Sequence, residues 1–78
     1  MPYPPTFEEL RQKALVFFKE NKPKSYRQMK RDNELDEVLD MRARACQRYA
    51  QGLMEQGMWE GEAWNLAIRQ EILESETD

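Results

Sequence analysis

The sequence lacks the side chains on which most catalysis and metal binding depend. Its 78 residues include no histidine and a single cysteine, Cys46. Histidine is the commonest general base, and a structural zinc site needs about four cysteine or histidine ligands. One cysteine cannot form a disulfide within the chain. We therefore predict that the protein is not an enzyme, that it uses no cofactor or metal, and that Cys46 is a small buried apolar residue.

Long hydrophobic runs are also absent. The longest run, residues 14–18, reads Ala-Leu-Val-Phe-Phe, whereas a membrane-spanning helix needs about 20 apolar residues. The first five residues, Met-Pro-Tyr-Pro-Pro, contain neither the basic nor the apolar region of a signal peptide. These absences predict a cytoplasmic protein with no membrane contact, and the unpaired cysteine agrees with a reducing compartment.

A chain of this length buries only a small core. Natural domains of this size usually gain further stability from disulfides, a metal or a partner. Because the composition disfavours the first two, close helix packing or self-association must supply the rest. A homo-oligomer is therefore one of the states that the sequence leaves open.

Apolar residues recur at helical spacing and strand-like alternation is absent, which predicts an all-α fold. We expect one small helical domain over residues 1–78, built as a bundle of three main helices. The first helix, about 7–20, begins where Thr6 and Glu9 have the spacing of a capping box. It follows an extended leader over residues 1–5, where prolines fix the backbone.

A short helical turn is predicted near 25–31, between the first and second main helices. Ser25 and Gln28 repeat the capping-box spacing at its start. The polar pair Asp32-Asn33 favours an interruption after it, because short polar side chains compete for backbone hydrogen bonds.

The clearest helical pattern spans about 34–56 and ends where Gly57 is placed to cap it. The third main helix is predicted over about 60–75, with a frayed acidic tail over 75–78. Its apolar side chains fall on two opposite faces. One face carries Trp59, Ala63, Leu66 and Leu73, and the other carries Trp64, Ile68 and Ile72.

A helix with two apolar faces is normally buried on both. Either the third helix lies between the other two, or one face packs in the core and the other binds a protein partner or a second copy. On the second interpretation, large side chains suited to a binding hot spot are the anchors: Trp64, Ile68, Ile72 and Trp59. Trp64→Ala would then weaken association more than it lowers the stability of the monomer.

Arg42 interrupts the apolar stripe of the long helix. Its neighbours three and four residues away are Val38, Leu39, Ala45 and Cys46, so no carboxylate on its own helix can pair with it. An unpaired buried charge is expensive. Arg42 is therefore a candidate contact for an anion or a partner carboxylate. The simpler alternatives are an ion pair with a glutamate of another helix, or a packed stem whose head reaches water.

Charge is segregated along the chain. Residues 1–31 carry eight basic and three acidic side chains, and residues 32–78 carry four basic and twelve acidic ones, giving +5 and −8 for a net charge of −3. Basic residues around an aromatic ring suit phosphate contact with base stacking. The simpler interpretation is a solvated face complementary to the acidic run behind it. The residues concerned are Lys22, Lys24, Tyr26, Arg27, Lys30 and Arg31.

The sequence most favours a small non-enzymatic protein–protein interaction module, docking on another protein or on itself. The alternative is a nucleic-acid-associated accessory protein that uses segment 22–31, although a pI of about 5.0 and the lack of a known motif disfavour it. The acidic residues from Asp32 to Asp40 imitate the start of a calcium loop. Glu37 stands where that loop requires glycine, which excludes this interpretation.

Overall fold

The computed structural model describes residues 4–73, and all regular structure in that range is helical. The predicted all-α fold is therefore confirmed. The short turn expected near 25–31 is a helix in its own right, so the described chain has four α-helices rather than three main ones. They are α1 (Phe7–Asn21), α2 (Pro23–Arg31), α3 (Leu35–Glu55) and α4 (Glu60–Ala67), and a π-helical segment (Ile68–Ile72) continues α4.

The capping box predicted at the start of α1 is present. The Glu9 backbone N–H donates to the Thr6 hydroxyl at 3.1 Å, and the Thr6 N–H donates to the Glu9 carboxylate at 2.8 Å. Two of the donors that a helix leaves unpaired at its first turn are thereby satisfied.

The second predicted capping box, at Ser25 and Gln28, is not formed. α2 begins earlier, at Pro23, with Lys22 at the cap position and no side-chain cap bond. Proline suits the first position of a helix, because the N–H that it lacks would have no partner there. Ser25 consequently lies inside the first turn of α2.

Two residues with positive φ end α2 and α3. Asn33 follows α2 with φ 60°, and Gly57 follows α3 with φ 100°. After Gly57, the Met58 N–H donates to the Leu53 carbonyl at 3.1 Å. This is the bond that defines a Schellman motif, and glycine and asparagine tolerate its left-handed residue best. The predicted interruption after α2 and the predicted glycine cap are both confirmed.

α3 is the central element of the core. α1, α4 and the π-helical segment all pack against it, and α1 also contacts the π-helical segment. α2 contributes no buried residue and lies at the edge of the bundle. The buried apolar side chains are Leu10, Ala14, Phe18, Leu39, Ala43, Cys46, Ala50, Ala63, Trp64, Ala67, Ile68 and Ile72.

Arg11 joins α1 to α3 through hydrogen-bonded ion pairs. Its Nε donates to the Asp40 carboxylate at 2.7 Å and its Nη2 to the Asp36 carboxylate at 3.1 Å. The Arg11 side chain is 19 % exposed. Because the bond to Asp40 is partly shielded from water, it contributes more than an exposed ion pair would, whereas the bond to Asp36 is exposed and contributes little.

The π-helical segment changes the direction of the side chains that follow α4. The Leu73 N–H donates to the carbonyl of Ile68, five residues back, at 2.9 Å. One extra residue is thus accommodated in this turn. The helix end predicted near 75 and the tail over 75–78 lie outside the described residues, and only Pro4 and Pro5 of the leader over 1–5 lie inside them. None of the helices in the described range has the length and apolar character to cross a membrane.

Candidate functional site

The structure decides which apolar face of the last helix points inward. Trp64, Ile68 and Ile72 are buried in the core, with Trp64 only 5 % exposed. The reason is that α4 and its π-helical continuation pack on α3, and the π-helical segment also meets α1. These three predicted anchors are therefore buried in the folded monomer, whereas the fourth, Trp59, is exposed.

Trp59 is the most exposed large apolar side chain among the described residues, at 73 %. It precedes α4, and its ring lies against the backbone of Gly61. A Cβ atom at Gly61 would overlap Cζ3 of Trp59 and lie 2.7 Å from Cη2. Glycine therefore creates the space in which one part of the indole rests, while most of the side chain faces solvent.

A shallow hollow lies on the outer side of α4, and Met58, the residue before Trp59, is among its lining residues. Its volume is about 350 Å³. Glu62 and Leu66 are three and seven residues after Trp59, which places them on the same side of the helix. We call the combined area the α4 surface. It consists of Trp59 with the residues that line the hollow, namely Met58, Glu62, Asn65, Leu66 and Arg69.

A second groove lies above Trp64, between the N-terminal segment and α3. Its volume is about 610 Å³, and Pro5, Gln47 and Met54 are among its lining residues. The Trp64 Nε1–H is buried and has no hydrogen-bond partner within the described part of the chain. A buried donor without an acceptor costs about 1–3 kcal/mol. This indole is thus held by packing, not by a polar contact.

Arg42 lies between helices and contacts groups that the sequence did not predict. Its Nη1 donates to the backbone carbonyl of Glu71 at 3.2 Å, and its guanidinium lies 5.8 Å from the centroid of the Phe18 ring. The acceptor is a main-chain carbonyl at the end of the π-helical segment, where carbonyls lack partners along the helix. Arg42 thereby stabilises this helix end. Contact with an anion or a partner carboxylate stays a prediction.

The predicted nucleic-acid residues occupy α2 and the residue before it. Lys24, Arg27, Lys30 and Arg31 are exposed, and Lys22 is half-buried. Tyr26 is different, because it is half-buried and packs against the core.

The Tyr26 ring also lies close to two cations. Lys19 Nζ is 5.9 Å and Lys30 Nζ is 5.7 Å from its centroid. Cation–π contacts of this kind occupy the ring faces. The arrangement concentrates positive charge but offers less open ring surface for base stacking than the sequence suggested.

Cys46 is buried as predicted, with no exposed surface. Burial raises the pKa of its thiol to about 12, and the negative charge of Glu71 adds to this effect. A thiol with so high a pKa is a poor nucleophile. Residues 4–73 contain no cluster of three or more histidine, cysteine or acidic side chains placed to hold a metal ion.

No known protein family, curated protein or solved structure matches the chain. Its surfaces must therefore be interpreted from their own chemistry.

Sequence reasoning missed two functional features of these surfaces. It did not single out Arg11, whose acidic partners lie on another helix and more than 20 residues away in the sequence. It also did not connect Gly61 with Trp59. A glycine two residues after an exposed tryptophan, inside the first turn of a helix, was the available signal, because glycine there weakens the helix unless a close approach requires it.

Proposed function

We propose that this chain is a non-enzymatic protein–protein interaction module that docks through the α4 surface. The observation that carries the proposal is Trp59, 73 % exposed and seated on Gly61. Tryptophan is among the commonest residues at the centre of protein interfaces. A side chain that is already held in place also loses less conformational freedom when it binds.

The chemistry of the rest of the chain supports a binding role. The sequence contains no histidine, and its one thiol is buried with a raised pKa. Polar side chains of both signs, Glu62 and Arg69, border the apolar centre of the α4 surface, as in the rim of a typical interface. A cytoplasmic location is part of the proposal, because an unpaired thiol suits a reducing compartment.

Gly61→Ala is expected to release Trp59 without destabilising the fold. Alanine favours helix over glycine by up to about 1 kcal/mol, and the atoms in its way belong to a movable side chain. We expect an unchanged or slightly higher Tm and a faster local rotation of the indole. Time-resolved anisotropy of the tryptophan fluorescence measures that rotation, in a Trp64→Phe background that leaves Trp59 as the one tryptophan.

Gly52→Ala is the matched control for this variant. Gly52 is also helical, and a Cβ atom there meets nothing within 4 Å. It should raise stability in the same way and leave the rotation of Trp59 as it was. Equal anisotropy decays in the two variants would show that Gly61 does not position the indole.

The docking role itself is tested by photocrosslinking in cells. A benzophenone amino acid replaces Trp59 in one variant and Met41 in the other. Met41 is a suitable control because it is 62 % exposed on α3 and outside the α4 surface. We expect protein adducts, including adducts with a second copy, from position 59 and few from position 41. Equal yields at the two positions, or no adducts at 59, would overturn the proposal.

A nucleic-acid role for α2 is the second candidate. It is favoured by a helix with no buried residue and with four exposed basic side chains: Lys24, Arg27, Lys30 and Arg31. Affinity for single-stranded DNA should then fall with salt, with a logarithmic slope of about −0.7 for each phosphate contacted.

Reversing Lys24, Arg27 and Lys30 to glutamate should abolish that binding and leave the helical content unchanged. Fluorescence anisotropy of a labelled oligonucleotide gives the affinity, and circular dichroism gives the helical content. The same reversal at two exposed arginines of α3, Arg44 and Arg48, is the control. Similar losses of DNA affinity from the α2 and α3 reversals would indicate that DNA is attracted to any positive charge and that α2 is not a specific site.

A further inference from the structure

Opposite charges are placed symmetrically along the α4 surface. Glu62 and Arg69 are both exposed and both line its hollow. Glu62 is three residues before Asn65, and Arg69 is three residues after Leu66. The point halfway between the two charges along the helix therefore lies between Asn65 and Leu66.

These two charges have no ion-pair partner among the described residues. Within residues 4–73, the ion pairs all belong to Arg11. Glu62 and Arg69 cannot pair with each other, because seven residues of helix separate them by about 10 Å along the axis. Both therefore project from the surface with their charge available to another molecule.

We propose that α4 pairs with α4 of a second copy, antiparallel, about a two-fold axis that passes between Asn65 and Leu66. In such an arrangement residue i of one chain faces residue j of the other, and j faces i. Glu62 of each copy then faces Arg69 of the other copy, so one symmetric contact forms two ion pairs. The inference rests on the proposed docking role of the α4 surface and names its partner.

The centre of this interface is partly apolar, with exposed Asn65 on one side of the axis and Leu66 on the other. Leu66 is half-exposed beside the axis, and Met58 and Trp59 lie further out on the same surface. The contact is short, since α4 has eight residues before the π-helical segment. Interfaces of this size lie at the low end for specific complexes. We therefore expect a weak dimer, with a Kd of about 10 µM to 1 mM.

Charge reversal tests the symmetry directly. Glu62→Arg sets two arginines against each other at both contacts of the dimer, and Arg69→Glu sets two glutamates against each other there. Each substitution acts twice in a symmetric dimer, so we expect Kd to rise about tenfold to thirtyfold at low salt.

Mixing the two variants allows a heterodimer in which both contacts again join an arginine to a glutamate. In the antiparallel arrangement one contact of the heterodimer joins the two introduced side chains and the other joins the two native ones, so both are complementary. The mixture should therefore associate within about threefold of the wild type, as should the Glu62→Arg/Arg69→Glu double variant.

Sedimentation equilibrium of the wild type, the two single variants, their mixture and the double variant supplies the measurement. Glu37→Arg and Arg48→Glu make the same changes in net charge at exposed positions of α3 and serve as controls. Circular dichroism melts identify a variant whose loss of association reflects unfolding. The double variant, which keeps the net charge of the wild type, decides the question in that case, because its two reversed charges are again complementary in the antiparallel dimer.

The outcomes separate this inference from the docking role. Weakening by each single reversal with recovery in the mixture would support the antiparallel dimer. A wild type that is monomeric at 1 mM, or a dimer that the mixture does not restore, would overturn it. If crosslinks at position 59 still reach other proteins, the docking role stands and only the second copy is excluded. If position 59 gives no adducts, both fail.

Discussion

Trp64→Ala is expected to lower the free energy of unfolding by about 3–5 kcal/mol, the usual cost of removing a buried aromatic side chain. A chain of this length has a total stability of about 4–12 kcal/mol. The variant should therefore lose a quarter or more of the total stability, and at the lower end of that range it would be largely unfolded at 25 °C. The structural reason is that Trp64 is 5 % exposed and packs in the cluster formed by α1, α3 and the π-helical segment.

Urea denaturation followed by circular dichroism measures this loss. Trp59→Ala is the matched control, because it removes the same side chain from the surface, and we expect a change within about 0.5 kcal/mol. Trp64→Phe keeps most of the buried volume and removes an N–H that has no partner in residues 4–73. It should lie between the other two variants. Equal losses for Trp59→Ala and Trp64→Ala would contradict the assignment of the inner face.

The difference between the two tryptophans shows where sequence reasoning stops. Helical spacing placed Trp59 and Trp64 on opposite faces, and both faces are apolar. Which face points inward depends on how α4 crosses α3 and α1, and that is a property of the packed bundle. Sequence spacing therefore described two faces correctly and left their roles open.

Local features were predictable because their causes are local. The capping box at Thr6 and the glycine cap at Gly57 both satisfy backbone groups within a few residues. Ser25 and Gln28 have the same spacing as Thr6 and Glu9 but form no capping box, because Pro23 already occupies the first helical position. Two local signals competed there, and the stronger backbone constraint decided the start of α2.

Contacts between helices could not be predicted from the sequence. Arg11 of α1 pairs with Asp40 of α3, and Arg42 of α3 donates to the main-chain carbonyl of Glu71. The π-helical segment, Ile68–Ile72, is a further example. It adds one residue to a turn and so changes which later side chains meet the core. Each of these features follows from the assembled bundle and has no counterpart in hydrophobic periodicity.

Cys46 is expected to react very slowly with thiol reagents in the folded protein. Its pKa is raised from 9.0 to about 12 by burial and by the charge of Glu71. Because each pKa unit is a tenfold change in ionisation, the thiolate fraction at pH 8 falls about a thousandfold. Labelling with a chromogenic disulfide reagent, in buffer and in 8 M urea, measures the ratio of rates. Comparable rates in the two conditions would contradict a buried thiol.

The same pKa shift makes stability depend on pH in a defined window. A thiol whose folded pKa is raised binds its proton more tightly in the folded state. Its contribution is fully present below pH 9.0 and is lost progressively as pH rises toward about 12. Other groups titrate in this range, so the test is the difference between the wild type and Cys46→Ala in urea denaturation at several pH values. That difference should move in favour of the alanine variant above pH 9, and a constant difference would show that the thiol ionises equally well in the folded and unfolded chains.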